Sequence, residues 1–307
     1  MPYLLLTLAA MFWGGNYVVG HILVTGADPI LMTAARWILT ALLLTSLYYK
    51  HIFTHHKLII QSLATIVFLS IFGQVLFPLT LYIGLQTTTS LNAAIYMSAT
   101  PCLVLLINRI IFHDHISANN YLGVFLSTAG VCYLIFQGNP HNLSTLSNLS
   151  VGDLWAMGSA LSWALYCSFL RKKNKQIPGN VFVAVSAVIG AIILIPVIAL
   201  YLSSVSSVDI SSYSQAGFLT GLLYLVIFPS WLSYVFWNRG ILEIGATRGE
   251  IYTHIIPLSG GLFSVIFLGT RLESFHLISA ILIAAGIGLC SGRKKRKETA
   301  QCVRSSE

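Results

Sequence analysis

Long apolar stretches alternate with short polar segments along the whole chain of 307 residues. A helix that crosses a bilayer needs about 20 predominantly apolar residues. Ten stretches meet that requirement, at 3–24, 30–49, 59–84, 91–112, 118–137, 152–170, 179–203, 214–240, 246–268 and 273–292. The pattern therefore predicts an all-α membrane protein with ten transmembrane helices.

The first apolar stretch has two interpretations. A signal peptide has an apolar core of about 7 to 15 residues behind a basic segment. This stretch is longer and no basic segment precedes it, so we interpret it as a transmembrane helix. The small residues Thr25, Gly26 and Ala27 keep the signal-peptide alternative open.

Composition supports a membrane protein, because 56% of the residues are hydrophobic and only 8% are charged. Soluble domains have about 25% charged residues. With the N-terminus in the cytoplasm, all of the 17 Lys and Arg residues except Arg36 and Arg271 fall on or near the cytoplasmic side. Such a bias is typical of cytoplasmic loops. We therefore expect a multi-pass protein of the plasma (cell inner) membrane with both termini in the cytoplasm.

The net charge of +8 raises the question of partners. The basic segment RKKRK at 293–297 could contact anionic lipid or nucleic acid, but an anchor beside the last helix explains it more simply. We expect membrane lipid and a small-molecule substrate as partners and no nucleic acid, and a homodimer remains open.

A long polar stretch divides the chain between the fifth and sixth predicted helices. The predicted units are a first five-helix repeat (1–138), a polar external linker (139–151), a second five-helix repeat (152–292) and a basic cytoplasmic tail (293–307). Five helices are an odd number, so the repeats would enter the membrane in opposite orientations. Inverted repeats of this kind place a substrate site near the midplane of the membrane.

The two halves align weakly with each other. A shift of 156 residues places Tyr96 on Tyr252 and Pro101 on Pro257. Closer to the N-terminus the shift is about 150 residues, and it places Trp13 on Trp163. The alignment supports two copies of one design.

Several motifs carry a resemblance to a known family. They are FWGGNY at 12–17, Arg36-Trp37 in the second predicted helix, NRGILEIGATRGEIYTHIIP at 238–257 and AILIAAGIGL at 280–289. Over nearly its whole length the chain resembles the EamA-type transporters of the drug/metabolite transporter superfamily. The resemblance implies ten helices, a central cavity between the first four helices of each repeat, and export of amino acids or related metabolites. The chain departs from the family pattern at Gly269-Thr270-Arg271, where an acid is replaced, and at Glu250 and His254.

The segment RGEIYTHIIPLSGG at 248–261 contains two ionisable groups in an apolar setting. An α-helix would place Glu250, His254, Pro257 and Gly261 on one stripe. His254, about 12 Å deep, is the stronger candidate for a substrate hydrogen bond or a proton carrier. We expect His254→Ala to impair transport and leave folding intact. The alternative is a neutral histidine bonded to a neighbouring helix.

Glu250 lies only about 6 Å inside the predicted cytoplasmic end of its helix. It is a candidate for binding a cationic or amine group or for accepting a proton. The alternative is an ion pair with Arg248, Arg239 or a lipid headgroup at the interface. Arg36, about 9 Å inside the second predicted helix, could hold an anionic group. Its alternatives are structural pairing and extension of the side chain to the membrane surface.

Polar and aromatic residues recur on single faces of other predicted helices. Aromatic walls with few amides suit an amphiphilic metabolite, although packing explains the tryptophans equally well. The remaining substrate-binding candidates are Trp13, Asn16 and Tyr17 in the first helix, Tyr96 in the fourth, Trp163 and Tyr166 in the sixth, and Asn238 in the eighth.

Other chemistry has little support in the sequence. Five histidines (His51, His55, His56, His113 and His115) fall in predicted loops, and the five cysteines are scattered without CxxC, so we predict no metal site. The motifs HExxH, GxSxG and a repeated DDxxD are absent, and so is a phosphate-binding GxxxxGK[ST] loop. We expect neither an enzyme nor a bound cofactor.

These observations predict a secondary active transporter that moves a small polar metabolite by alternating access. An amino acid or a derivative is the favoured substrate, and efflux is the favoured direction. Uptake or exchange of a larger metabolite, such as a nucleoside-derived cofactor, fits the same fold. An intramembrane enzyme and a membrane sensor or scaffold are further alternatives, and the last predicts no transport.

Overall fold

The computed structural model describes residues 1–24, 26–88, 93, 96–139, 150–205, 211–268 and 273–291. Most of these residues are helical, and the described ranges contain no β-strand. Residues 140–149 of the predicted linker and the whole basic tail at 293–307 lie outside them.

The first half of the chain begins with α1 (Pro2–Val24) and α2 (Pro29–Thr54). Asp28 caps α2, because its Oδ1 accepts the backbone N–H of Ile30 at 2.8 Å. The short α3 (His56–Gln61) precedes the long α4 (Leu63–Gly84). This half ends with α5 (Tyr96–Ile110) and α6 (Ala118–Ile135).

The second half repeats this order. It begins with α7 (Val151–Phe169), whose first turn is fixed by a capping box between Ser150 and Asp153. The helices α8 (Gly179–Ser204) and α9 (Ala216–Ile244) follow. The helical segment α10 (246–268) and the helix α11 (Ser274–Ser291) complete the described chain.

Two helices widen into π-helical geometry at corresponding places in the two halves. The π segments are Ile71–Leu76 in α4 and Val226–Leu232 in α9. Pro78 lies two residues after the first segment, and Pro229 lies inside the second. Because proline has no N–H, it removes a helical hydrogen bond and leaves a carbonyl free to accept a bond from elsewhere.

Side chains from other helices bind the carbonyls of these segments. Ser162 and Ser159 of α7 donate to the carbonyls of Phe72 and Phe77, each at 2.8 Å. In a bilayer the backbone must find such partners inside the protein, because lipid supplies none. The irregular segments are therefore tied to the interior of the helix bundle.

The segment α10 changes its helical geometry twice along its length. It begins as Ala246–Gly249, continues as a 3₁₀-helix at Glu250–His254 and becomes α-helical at Ile255–Leu268. Pro257 explains the change, since its ring would collide with the carbonyl four residues earlier in an α-helix. In the first half, a turn at Ala99 interrupts α5 two residues before Pro101.

The helix contacts keep the same pattern when the two halves are exchanged. The helices α2 and α8 pack against each other, as do α6 and α11. The contact of α1 with α9 has its counterpart in that of α7 with α4. The contact of α1 with α10 likewise has its counterpart in that of α7 with α5.

Small residues permit the close approach of α6 and α11. A Cβ atom on Gly286 would lie 2.5 Å from the carbonyl oxygen of Gly123 and 2.6 Å from the Cβ of Ser127. Backbones at this distance leave no room for a side chain, as is common between membrane helices.

Length and composition agree with a multi-pass membrane protein. Six helices of the described chain are long and apolar enough to cross a bilayer: α1, α2, α4, α8, α9 and α11. Large apolar side chains are exposed on the outside of the bundle, among them Leu42, Phe125 and Leu200. Such a surface suits contact with lipid. The predicted total of ten crossings stays a prediction.

Candidate functional site

Five aromatic side chains meet at the centre of the bundle, and we call them the aromatic cluster: Trp13 of α1, Trp163 and Tyr166 of α7, and Tyr234 and Trp237 of α9. All five are buried. The ring centroids of Trp13 and Trp163 are 4.9 Å apart in an edge-to-face arrangement. Trp163 stacks on Tyr166 at 5.1 Å, and Trp13 contacts Trp237 at 5.0 Å. The cluster joins both halves of the chain.

Glu250 lies beside this cluster and is almost completely buried, with 1% of its surface exposed. The side chains of Trp163 and Cys167 border its carboxyl group, but neither is in hydrogen-bonding geometry. Both carboxyl oxygens therefore have no hydrogen-bond partner among the residues that the structure describes. The interface ion pair with Arg248 or Arg239 is not formed, and Arg239 binds Glu243 at 3.0 Å instead.

Asn238 is a second buried polar group with an unused atom. Its Oδ1 accepts the hydroxyl of Tyr166 at 2.7 Å. Its Nδ2 is buried and has no acceptor within the described part of the chain. Unpaired buried donors and acceptors are rare in native proteins, and a missing ligand or water is one of their usual causes.

Arg36 and Asn16 lie together in a separate polar cluster. The guanidinium of Arg36 donates to Asn16 Oδ1 at 3.0 Å, to the Tyr82 hydroxyl at 2.8 Å and to Ser230 Oγ at 2.5 Å. Tyr82 also donates to Asn16, at 3.1 Å. Only 2% of Arg36 is exposed, so extension to the membrane surface is wrong and structural pairing is observed. The four side chains hold α1, α2, α4 and α9 together.

His254 is fixed at both ring nitrogens. Nε2 lies 2.9 Å from the carbonyl oxygen of Ser98, and Nδ1 lies 2.6 Å from Ser127 Oγ. A carbonyl can only accept, so Nε2 carries a proton and Nδ1 accepts from the serine when the ring is neutral. The ring therefore connects α10 with α5 and α6, which is the arrangement expected for the structural alternative. Its role in transport stays a prediction.

The predicted stripe from Glu250 to Gly261 is wrong, because residues Glu250–His254 form a 3₁₀-helix. With about 3.0 residues in each turn, residues four apart point about 120° away from each other. Glu250 consequently faces α7, and His254 faces α5 and α6. Pro257 and Gly261 follow in the α-helical part of α10, Ile255–Leu268.

The structure does not bring the remaining two candidates into the cluster. Tyr96 is partly buried and lies near Asp153, at the opposite end of α7 from Cys167. The side chain of Tyr17 lies outside the described residues. Of the ten predicted residues, Trp13, Trp163, Tyr166, Asn238 and Glu250 thus meet around one place.

Three segments that connect the long helices meet on one side of the protein, which we call the basic side: 55–62, 111–117 and 170–178. Asn174 Nδ2 donates to Ser62 Oγ at 3.3 Å. Arg171 binds the Asp114 carboxylate with both terminal nitrogens, at 2.6 and 3.0 Å. This hydrogen-bonded guanidinium holds the pKa of Asp114 below its usual value. The ion pair connects a loop of the first half with a loop of the second.

A pocket of about 340 Å³ opens on the basic side and leads toward the site. Arg171 and Lys175 lie at its edge, and Cys167, which borders Glu250, contributes to its lining. Within the described chain, no group of three or more His, Cys, Asp and Glu side chains is arranged to hold a metal ion.

Several residues of this region were not among the sequence-based candidates. Tyr234 donates to the carbonyl of Gly73, and Trp237 Nε1 points to the Cys167 sulfur at 3.2 Å. The polar and aromatic spacing Tyr234, Trp237, Asn238 was a usable signal, since these residues lie one turn apart. No pattern in the sequence indicated that Cys167 would lie beside Glu250.

Comparison with known proteins identifies the family. The model of the EamA-like transporter family matches the chain twice, at residues 1–136 and 150–292. The uncharacterized transporter YyaM of Bacillus subtilis is 30% identical over 291 residues, which cover 94% of this chain and 93% of that protein. The uncharacterized inner membrane transporter YicL of Salmonella typhimurium is 22% identical and covers 95% and 96% of the two chains.

One solved crystal structure has the same fold, with a TM-score of 0.72 at 15% sequence identity, covering 94% of this chain and 96% of that one. The resemblance drawn from the sequence motifs is confirmed by the family match across both halves. The chain belongs to the EamA-like transporter family.

Proposed function

We propose that the protein is a secondary active transporter that moves a small polar metabolite, an amino acid or a derivative, out of the cell by alternating access. The proposal places it in the plasma (cell inner) membrane with ten crossings. It divides the chain into repeats 1–138 and 152–292 of opposite orientation, with an external linker at 139–151. Membership in a family of transporters supports this class of function.

The observation that carries the proposal is the buried polar group at the centre of the bundle. Ionisable side chains inside a membrane are costly and commonly mark the path of a substrate or ion. Glu250 is buried beside five aromatic rings, and its oxygens have no partner in the described structure. A polar substrate with an apolar part would satisfy the carboxyl group and contact the rings.

The arrangement of the two halves supports alternating access. Trp13 aligns with Trp163 and contacts it, and Ser98 aligns with His254 and accepts its hydrogen bond. Residues that meet their own counterparts lie near an axis relating the two halves. In inverted-repeat transporters one half rocks against the other about a central site.

The proposed orientation follows from charge. The three segments of the basic side contain five Lys and Arg residues, so we place this side in the cytoplasm, together with both termini. The pocket beside Arg171 and Lys175 would then receive the metabolite from the cytoplasm. The chain has no phosphate-binding loop, so a gradient or an exchanged solute supplies the energy.

Counterflow in proteoliposomes tests this function. Vesicles preloaded with an unlabelled solute are diluted into the same labelled solute, across a panel of amino acids, amines, nucleosides and nucleoside-derived cofactors. We expect saturable uptake of an amino acid or amine that its unlabelled form inhibits. Flux of only a nucleoside-derived cofactor supports the larger-metabolite alternative, and absence of flux for every class contradicts the transporter proposal.

A further inference from the structure

We propose that Glu250 receives the ammonium group of the transported metabolite, so that the site selects a cationic amine over a neutral or anionic molecule of the same shape. This inference rests on the proposed function and deepens it. It adds a charge requirement and the residue that imposes it.

The first argument is the contrast between Glu250 and other acidic residues of the described chain. Asp28 accepts the hydroxyl of Tyr201 at 2.6 Å, and Asp114 binds Arg171. Asp153 accepts the backbone N–H of Ser150 at 2.7 Å, and Glu243 binds Arg239. Glu250 is as deeply buried as Asp153, with 1% of each residue exposed, but it has none of these partners. A buried carboxylate is stabilised strongly when a cation joins it.

The second argument is that the two buried cationic side chains of the described chain, Arg36 and Lys173, are engaged elsewhere. Arg36 is held by Asn16, Tyr82 and Ser230. Lys173 donates to the carbonyl oxygen of Ile177 at 2.5 Å. No ion pair of Glu250 exists within the described residues, so a cation that joins its carboxyl group would come from outside them. A ligand is the simplest source.

The third argument is the nature of the surrounding wall. Trp163 borders the carboxyl group. The centroids of the other four rings of the aromatic cluster lie 4.9 to 6.0 Å from the centroid of the Trp163 ring. Faces of tryptophan and tyrosine attract cations, and the attraction grows when water is excluded. An anion would meet both the carboxylate and these electron-rich faces, so it would be repelled.

The pocket at the basic side and Glu250 favour ligands of opposite charge, so the charge of the bound ligand distinguishes between them. Cys167 lies in the lining of the pocket at the basic side and also borders Glu250. The charge of Arg171 at that pocket is offset by Asp114 at 2.6 Å, whereas Lys175 adds a positive charge. The pocket alone could therefore favour an anion, and Glu250 favours a cation.

Binding to purified protein separates these possibilities without requiring transport. The probes are 2-phenylethylamine, the neutral 2-phenylethanol and the anionic 3-phenylpropanoate, followed by the tryptophan fluorescence of the full-length protein. We expect saturable binding of the amine, with affinity lower by at least about tenfold for the alcohol and the carboxylate. Equal or tighter binding of 3-phenylpropanoate, or no saturable binding of the amine, overturns the proposal.

Two variants locate the effect. Glu250→Gln keeps the shape and removes the charge, and it should weaken amine binding by about tenfold or more. Glu243→Gln is the matched control, because Glu243 is an exposed partner of Arg239 on the neighbouring helix, and it should bind like the wild type. Equal amine affinity in both variants overturns the assignment to Glu250.

A measurement on the unaltered protein covers the case in which Glu250→Gln does not fold. A hydrophobic carbodiimide should modify Glu250, and N,N-dimethyl-2-phenylethylamine, a tertiary amine that cannot form an amide with the activated carboxyl group, should protect it, as read by mass spectrometry. Modification that proceeds equally with and without the amine contradicts the proposal. Amine binding with no counterflow of any solute would instead contradict the transporter function and leave the site assignment standing.

Discussion

Trp13 and Trp163 contact each other edge to face, with their ring centroids 4.9 Å apart. The two residues align when the second half of the sequence is laid on the first. A residue that touches its own counterpart lies close to the axis that relates the halves. The aromatic cluster therefore lies where movement of one half against the other would change its shape most directly.

The first prediction concerns the bond of Trp13 to a π-helical segment. Its indole N–H donates to the carbonyl oxygen of Pro229 at 3.0 Å. Trp13→Phe leaves this buried carbonyl without its donor, which should lower the free energy of unfolding by roughly 1–3 kcal/mol. Thermal unfolding in detergent measures the change. Trp155→Phe is the control, since Trp155 is 42% exposed on the outer surface and should change little; equal losses in both variants would contradict the account.

His254 provides the second prediction. His254→Ala removes the hydrogen bonds to the Ser98 carbonyl and the Ser127 hydroxyl, and this loss should cost roughly 1–3 kcal/mol. The variant should therefore lose stability, while transport per folded molecule changes less. This differs from the sequence-based expectation of impaired transport with intact folding. His51→Ala, at an exposed position, is the control, and normal stability with lost transport would support the original expectation.

The sequence predicted the helices well because their length and apolarity are local properties. The predicted stretch 118–137 corresponds to the observed helix Ala118–Ile135, and 179–203 to Gly179–Ser204. The sequence did not predict the changes of helical geometry. The 3₁₀ turns at Glu250–His254 and the π segment at Ile71–Leu76 depend on packing and on nearby prolines, which the apolar period does not reveal.

The site was predicted in part for the same reason. Trp163 and Tyr166 were found because one turn of regular helix separates them. Glu250 was a candidate because it is an ionisable residue in an apolar segment. Its burial depends on how α10 packs against α7, and the sequence was equally consistent with an ion pair at the membrane interface. The partners of His254 lie on two other helices, and no local pattern predicts such contacts.

The third prediction tests the close packing of α6 and α11. Gly286→Ala places a Cβ atom 2.5 Å from the carbonyl oxygen of Gly123. The helices must separate, and overpacking of this kind costs about 1–3 kcal/mol. Gly288→Ala, two residues later, meets nothing within 4 Å and should be neutral or slightly stabilising. Equal unfolding temperatures for the two variants would rule out this contact as a source of stability.

The fourth prediction concerns pH. The Arg171 guanidinium holds the pKa of Asp114 below its usual value of about 4. The pair therefore stabilises the fold above pH 4, and this contribution is lost as the pH falls through the lower pKa of the folded state. Each side chain is about a third exposed, so the gain is small, about 1 kcal/mol or less.

Asp114→Asn should accordingly reduce stability at neutral pH and approach the wild type in acid, as thermal unfolding between neutral pH and about pH 3 would record. Glu243→Gln removes a more exposed ion pair and should have a smaller effect. A difference between wild type and Asp114→Asn that stays constant over this range would contradict the assignment.

The central claim is that a metabolite passes through a site formed by Glu250, and counterflow in proteoliposomes of wild type, Glu250→Gln and Glu243→Gln tests it most directly. The measurement uses the labelled amino acid or amine that the wild-type protein transports, with each variant checked for folding and for equal incorporation into vesicles. The account predicts that Glu250→Gln reduces flux by about tenfold or more and that Glu243→Gln leaves it unchanged. Wild-type flux in well-folded Glu250→Gln protein would contradict the claim.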